Sequence, residues 1–175
     1  MSTSTAPLVR PATAADMAAV TQIYAYEVLH GLATFEETPP DDAEMTSRFD
    51  ALRAGGFPYL VAEIDGVVMG YAYAGPYRVR PAYRHSIESS VYVDAAARGR
   101  GVGRALLAAL VAACEDKKWA QMVAVIGNSE NHGSIQLHAG RGFHLNGTLQ
   151  GVGFKLGQWV DTVIMQRALR NTLDK

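Results

Sequence analysis

"VYVDAAARGRGVGRAL" occupies residues 91–106. It begins as an alternating apolar strand and ends as a helix of small and branched apolar residues. Between them lies a turn in which Arg98, Gly99, Arg100, Gly101, Val102, Gly103 and Arg104 follow one another. Glycines at 99, 101 and 103 permit close backbone approach and φ values that side chains forbid. A loop that leaves a strand and opens a helix presents free N–H groups and the positive end of the helix dipole, so the segment is suited to a phosphate or pyrophosphate.

Working outward, the strand spans Ile87–Val93, the helix runs from Val102 to about Lys117, and "AQMVAVIG" supplies the next strand. A strand, a helix and a strand in this order predict a parallel pair joined by a crossover. Upstream, "YLVAEIDGVVMGYAYAG" contains two strand-like runs around Asp65-Gly66, a pair that tolerates positive φ in a two-residue hairpin turn. A short strand near Leu8–Arg10 precedes a first helix, with Thr13 and Asp16 as N-cap and N3 partner and Met17, Val20, Ile23, Tyr24 and Val28 at helical spacing. Asp41 and Asp42 open a second helix that reaches about Ala54 and stops at Gly55-Gly56. "HGSIQLHAGRGF" predicts a short helix ending at Gly140–Gly142. Two last strands, about Phe143–Gly151 and Trp159–Ala168, flank "GFKLGQW" as a turn. The expected fold is a mixed α/β sheet domain over residues 1–175, with no boundary inside it.

Bulk composition narrows the functions. The 175 residues are 49% hydrophobic and 19% charged, within the globular range. Sixteen Lys and Arg against 17 Asp and Glu leave a net charge of -1, which argues against a nucleic-acid partner. The one cysteine, Cys114, shares an apolar helical face with Leu107, Leu110 and Val111 and reads as a buried inert thiol in a reducing compartment. "MSTSTAPLVRP" lacks an apolar signal segment and no stretch approaches a membrane span of about 18 residues. A cytoplasmic protein is expected. His30, His85, His132 and His144 have no ligand spacing with one another or with Cys114, so no metal is expected.

Three phosphate cradles compete. No Lys followed by Ser or Thr closes the loop as in a P-loop, and G-x-G-x-G in mid-chain departs from the dinucleotide fingerprint. Arg98–Gly103 instead fits [RQ]-x-x-G-x-[GA], the cofactor loop of the GNAT acetyltransferase superfamily. The resemblance runs from "LVRPATAADM" to "NSENHGSIQLHAGRGF". "FEETPP", "YAYAGPYRVRPAYRHSIESSVYV" and "GFKLGQWVDTVIMQ" further resemble the phosphinothricin and methionine sulfoximine N-acetyltransferase group. The resemblance implies a GNAT-type acyl-CoA N-acyltransferase fold, whose mostly antiparallel central sheet has a splayed parallel strand pair and flanking helices. It also implies acetyl transfer from acetyl-CoA to a primary amine by direct attack in a ternary complex, and a homodimer.

Carried onto this chain, the resemblance implies that backbone N–H groups of Arg98, Gly99, Arg100, Gly101, Val102, Gly103 and Arg104 hold the pyrophosphate. Val91, Tyr92 and Val93 would pair with pantetheine, and Asn131 and Ser134 would line the far side; helix capping by Asn131 and an ordinary helix hydroxyl at Ser134 are the alternatives. An attacking amine must lose a proton, and Glu88, on the strand face of Ser90 and Tyr92, is the candidate base. An ion pair with Arg84 or Arg98 is its structural alternative. As a base Glu88 needs partial burial, since an ordinary Glu titrates near about 4.3. His138 stands where many GNAT proteins carry a tyrosine. It is acid for the leaving thiolate, substrate hydrogen-bond partner or satisfied core histidine.

An amino-acid acceptor brings a carboxylate. Arg78 and Arg80, flanking Val79 in "YRVRPAYR", face the same way on an extended segment and could clamp it. Phe35 and Glu36 would close the pocket from the other side. Peptide N-termini or other amines as acceptors, or an acyl-CoA-binding regulatory module without catalysis, are the competing functions.

Overall fold

The computed structural model describes residues 6–115 and 117–170. The part of the N-terminal leader reading that falls on residues 1–5, and the continuation of the third helix across residue 116, lie outside the described residues. Along the chain come β1 (Leu8–Pro11), α1 (Met17–His30), α2 (Asp42–Ala54), β2 (Tyr59–Ile64), β3 (Val67–Pro76), β4 (Ser86–Val93), α3 (Val102–Glu115), β5 (Gln121–Gly127), α4 (His132–Ala139), β6 (His144–Lys155) and β7 (Gln158–Ala168). The strands form one seven-stranded sheet in the order β1-β2-β3-β4-β5-β7-β6. Every neighbouring pair is antiparallel except β4–β5, which is parallel across the α3 crossover.

Local chemistry sets most boundaries. Asp65 and Gly66 turn the β2–β3 hairpin with φ of 52° and 78°, the positive pair a two-residue turn requires. Thr13 and Asp16 form a capping box ahead of α1, and the Asp41 carboxylate accepts from the Glu44 N–H to cap α2. The last hairpin differs from the sequence expectation. β6 runs through "GFK" to Lys155, β7 starts at Gln158, and only Leu156 and Gly157, with φ of 50° and 75°, make the turn. Glycine and aromatic residues there read as a loop because Gly151 sits in a register irregularity between Leu149 and Gly153, an interruption that bends the strand without ending it.

Side-chain alternation divides the sheet into two faces. Leu60, Ala62, Ala72, Ile87 and Met122 point to a core shared with Leu106, Leu107 and Leu110 of α3, each of which is fully buried. Truncation of any of the three leucines to Ala costs about 2–5 kcal/mol. Tyr59, Val61 and Tyr71 point to the other face, against Val20, Tyr24, Val28 and Phe49 of α1 and α2. Residues of even number in β4 therefore face α1 and α2, and those of odd number face α3 and α4.

Candidate active site at the splayed strands

β4 and β5 pair over only four residues, from Ser86↔Gln121 to Ser89↔Ala124. Both strands continue, β4 to Val93 and β5 to Gly127, without pairing further. The gap opens into a cleft of about 1330 Å³ lined by β4, the Arg98–Arg104 loop, β5, α4 and the segment after α1. On its β3 side β4 remains paired, and Asp94 N–H donates to Met69 O at 2.9 Å. Peptide groups alternate along a strand, so Tyr92 also faces β3 while Val91 and Val93 present N–H and C=O to the cleft. Of the three residues expected to pair with pantetheine, Val91 and Val93 face the gap; Tyr92 does not, because its main chain pairs with β3 and its side chain joins the opposite face.

The loop at the helix start is built as its glycines suggest at two of three positions. Gly99 and Gly101 have φ of 76° and 83°, where a side chain would strain the backbone. Gly103 has no positive φ; it belongs to α3, and a Cβ there would lie 3.3 Å from Leu137 and 3.5 Å from Val93. Its role is close helix packing. The first capping bond of α3 runs from Ala105 N to Gly101 O, which leaves the N–H groups of Val102, Gly103 and Arg104 pointing out of the first turn. Arg100 and Arg104 are exposed and make no ion pair among the described residues, whereas Arg98 pairs with the buried Glu27 of α1. A pyrophosphate fits this set of donors: free backbone N–H groups, a helix N-terminus and two unpaired guanidinium groups.

Across the cleft, the Asn131 side chain accepts from Ser134 N–H at 3.2 Å and caps α4. Both residues line the cleft as well, so capping and exposure to the cleft coexist. His138 is 4% exposed and packs edge-on against Phe143. Its Nδ1 lies 2.8 Å from Ser134 O and its Nε2 3.5 Å from Ser89 Oγ. A carbonyl accepts only, so Nδ1 carries the proton and Nε2 is left as an acceptor. Burial holds the imidazole below its ordinary pKa, with the Ser134 carbonyl pulling the other way.

Glu88 lies on the α1/α2 face, half-buried beside a tyrosine stack that the sequence analysis did not single out. Tyr59 stacks on Tyr73 at 5.1 Å, Tyr71 on Tyr92 at 5.2 Å, and Tyr24 meets Tyr92 edge-on at 5.1 Å. Alternation of tyrosine at 59, 71, 73 and 92 along the strands was the available signal. Burial pushes the Glu88 carboxyl up to about 7, with the positive charge of Arg78 pulling weakly the other way. The ion-pair alternatives are not formed: Arg98 takes Glu27, and Arg84 donates to Pro81 O.

Arg78 and Arg80 are not on an extended segment. The chain bends at Tyr77, Val79 and Arg80 and enters a one-turn helix at Pro81–Tyr83. Arg80 itself keeps extended dihedrals ahead of Pro81, which opens the helical turn, and it is the bends at Tyr77 and Val79 that break the two-residue alternation. Arg78 lies over the Tyr77 ring, Val79 is 97% exposed, and Arg78, Val79 and Arg80 with Tyr83 line a separate hollow of about 350 Å³. Phe35 lines the main cleft. Glu36 does not: its carboxylate takes Tyr24 Oη at 2.9 Å and Arg48 at 2.7 Å. No group of three or more His, Cys, Asp or Glu residues able to hold a metal occurs among the described residues.

Comparisons with known proteins agree with this architecture. Residues 24–143 match the acetyltransferase (GNAT) family. A phosphinothricin N-acetyltransferase of Alcaligenes faecalis is 53% identical over 154 residues, 88% of this chain and 78% of that protein. An L-methionine sulfoximine/L-methionine sulfone acetyltransferase of Salmonella typhimurium is 39% identical over 162 residues, 92% of this chain and 94% of that one. The crystal structure of a GNAT superfamily phosphinothricin acetyltransferase from Sinorhizobium meliloti in complex with AcCoA superimposes with a TM-score of 0.94 at 46% identity, covering 98% of this chain and 93% of that chain. A strand pair that parts beside a glycine-rich helix start, a family match over residues 24–143, and relatives 53% and 39% identical over most of the chain lead to one conclusion: the chain belongs to the GNAT family of acetyltransferases.

Proposed function

We propose that this protein transfers the acetyl group of acetyl-CoA to the α-amino group of a small amino acid of the phosphinothricin, methionine sulfoximine or methionine sulfone type. The observation that carries the proposal is the placement of Glu88, a half-buried carboxyl lining the cleft at the point where the strands part. Bound acetyl-CoA supplies a thioester carbonyl that the amine attacks, with loss of the CoA thiolate. The chain supplies the rest. N–H groups at the start of α3 and on the Val91–Val93 edge hold and orient the cofactor. Glu88 takes the proton of the incoming ammonium, directly or through one water. His138, with only an acceptor at Nε2, suits hydrogen bonding and packing better than the role of acid.

Arg78 and Arg80 offer guanidinium groups to an acceptor carboxylate from the loop before β4, and Phe35 forms part of the opposite wall. Support comes from the electrostatic reach of Arg78 to Glu88 and from the named relatives. A homodimer belongs to the proposal as well. Leu145, Leu149, Phe154 and Trp159 on β6 and β7 are each more than half exposed, an apolar surface that a second copy would cover. Residues 1–175 are read as one catalytic domain in a reducing, cytoplasmic setting, in keeping with the buried thiol of Cys114.

The test is release of free thiol from acetyl-CoA with L-methionine sulfone, L-methionine sulfoximine, L-phosphinothricin, spermidine and a short peptide as acceptors. Turnover with the first three, lost in Glu88→Gln while acetyl-CoA affinity is unchanged, is the expected result. Turnover only with peptide or polyamine overturns the substrate class, and binding of acetyl-CoA without turnover of any amine favours a regulatory module.

A further inference from the structure

Lys155, at the end of β6, is 3% exposed, yet no acidic side chain among the described residues is bonded to it. Its ammonium donates to two main-chain carbonyls, Thr34 O at 2.7 Å and Glu27 O at 3.4 Å. Glu27 lies in the last turn of α1, where carbonyl groups carry the negative end of the helix dipole. Thr34 belongs to the 31–36 segment that follows, and Thr34, Phe35 and Glu88 all line the same cleft. A buried cation is costly unless its donors are used, so this one is committed to holding backbone in place.

Two glycines fit the same segment to the sheet. A Cβ at Gly127 of β5 would collide with Leu32 O, and one at Gly153 of β6 would collide with the Phe35 ring. From the helix side Tyr24 Oη bonds Thr34 Oγ1 at 2.8 Å. The carboxylate of Glu27 meanwhile pairs with Arg98 of the phosphate loop. Lys155 is thus one bond from the acceptor wall and two from the cofactor loop, although it touches neither ligand.

We infer that Lys155 is a positioning residue for the acceptor side of the cleft, its ammonium fixing the main chain of residues 31–36 so that Phe35 keeps its place in the cleft wall. The inference rests on the proposed acetyl transfer for its kinetic part only. Lys155→Met keeps the aliphatic stem and removes both hydrogen bonds. Expected are a tenfold or greater rise in acceptor KM, a kcat changed less than threefold, and an acetyl-CoA Kd within twofold of wild type. Amide exchange gives a reading independent of any acceptor. The Gly31 and Glu36 N–H groups, bonded to Glu27 O and Thr34 Oγ1, should exchange at least tenfold faster, with β5 and α3 amides unchanged. Uniform acceleration of exchange everywhere, or an unchanged KM with unchanged exchange at Gly31 and Glu36, overturns the inference. If Lys155→Met does not fold, Tyr24→Phe removes the hydroxyl bond to the same segment; a threefold KM rise supports the inference and an unaltered KM overturns it. Absence of turnover in wild type with every acceptor removes the proposed activity, while the exchange comparison still decides the role of Lys155.

Discussion

Glu88 and His138 approach one cleft from opposite faces of the sheet. Glu88 is an even-numbered residue of β4 and turns toward α1 and the tyrosine stack, whereas Ser89, next in the chain, turns toward α4 and meets His138 Nε2. Only because β4 and β5 part after Ser89 and Ala124 can groups on the two faces line the same space. A proton taken up by Glu88 therefore has no direct side-chain path to His138. In the proposed reaction, base and any acid work on different sides of the gap.

The pH dependence of Glu88 follows from its raised pKa. Activity that needs the carboxylate should rise with pH and level off above about 7, read as kcat/KM against pH, and Glu88→Gln should lose that limb along with about 10²–10⁴-fold in rate. Stability runs the other way. The folded carboxyl holds its proton to higher pH than the unfolded one, so its contribution is complete below about 4.3 and is lost as pH rises toward 7. Between pH 5 and pH 8 urea denaturation should shift in favour of Glu88→Gln by about 1–2 kcal/mol after allowance for partial exposure.

Gly101→Ala places a side chain at φ 83°, a cost of about 1–2 kcal/mol to the loop alone. Acetyl-CoA binding measured by calorimetry should weaken tenfold or more, with acceptor KM at saturating cofactor little altered. Gly103→Ala, which meets Leu137 and Val93 in α3 packing, should lower thermal stability instead.

Gly127→Ala drives a methyl group into Leu32 O and must displace the 31–36 segment. Expected are a loss of about 2 kcal/mol in stability and a rise in acceptor KM. Gly147→Ala, also a strand glycine but with open space around the added carbon, should change stability by less than about 0.5 kcal/mol.

The β6–β7 surface predicts self-association. Trp159→Ser with Leu149→Ser should move the protein from dimer to monomer in sedimentation at micromolar concentration, since both side chains are more than half exposed. A wild-type monomer at every concentration would remove the dimer from the proposal.

Hairpin, capping and crossover signals are local, and so the sequence by itself determined them: Asp65-Gly66 at the β2–β3 turn, Asp41 ahead of α2, and glycines 99 and 101 where the chain must take positive φ. Alternation along "IESSVYV" was enough to separate Glu88 from Ser89, and motif strings were enough to indicate the family. Burial was not local. Whether Glu88 sits in water or against tyrosines depends on strands and helices far away in the chain, and its carboxyl acquires a pKa of about 7 only there. Lys155 inside a supposed surface turn, Glu27 paired with Arg98, and the bend that takes Arg78 and Arg80 off an extended segment were likewise decided by the tertiary structure. The physical reason is the same for each: a charged side chain has no fixed meaning until the fold sets which partner, and how little water, it meets.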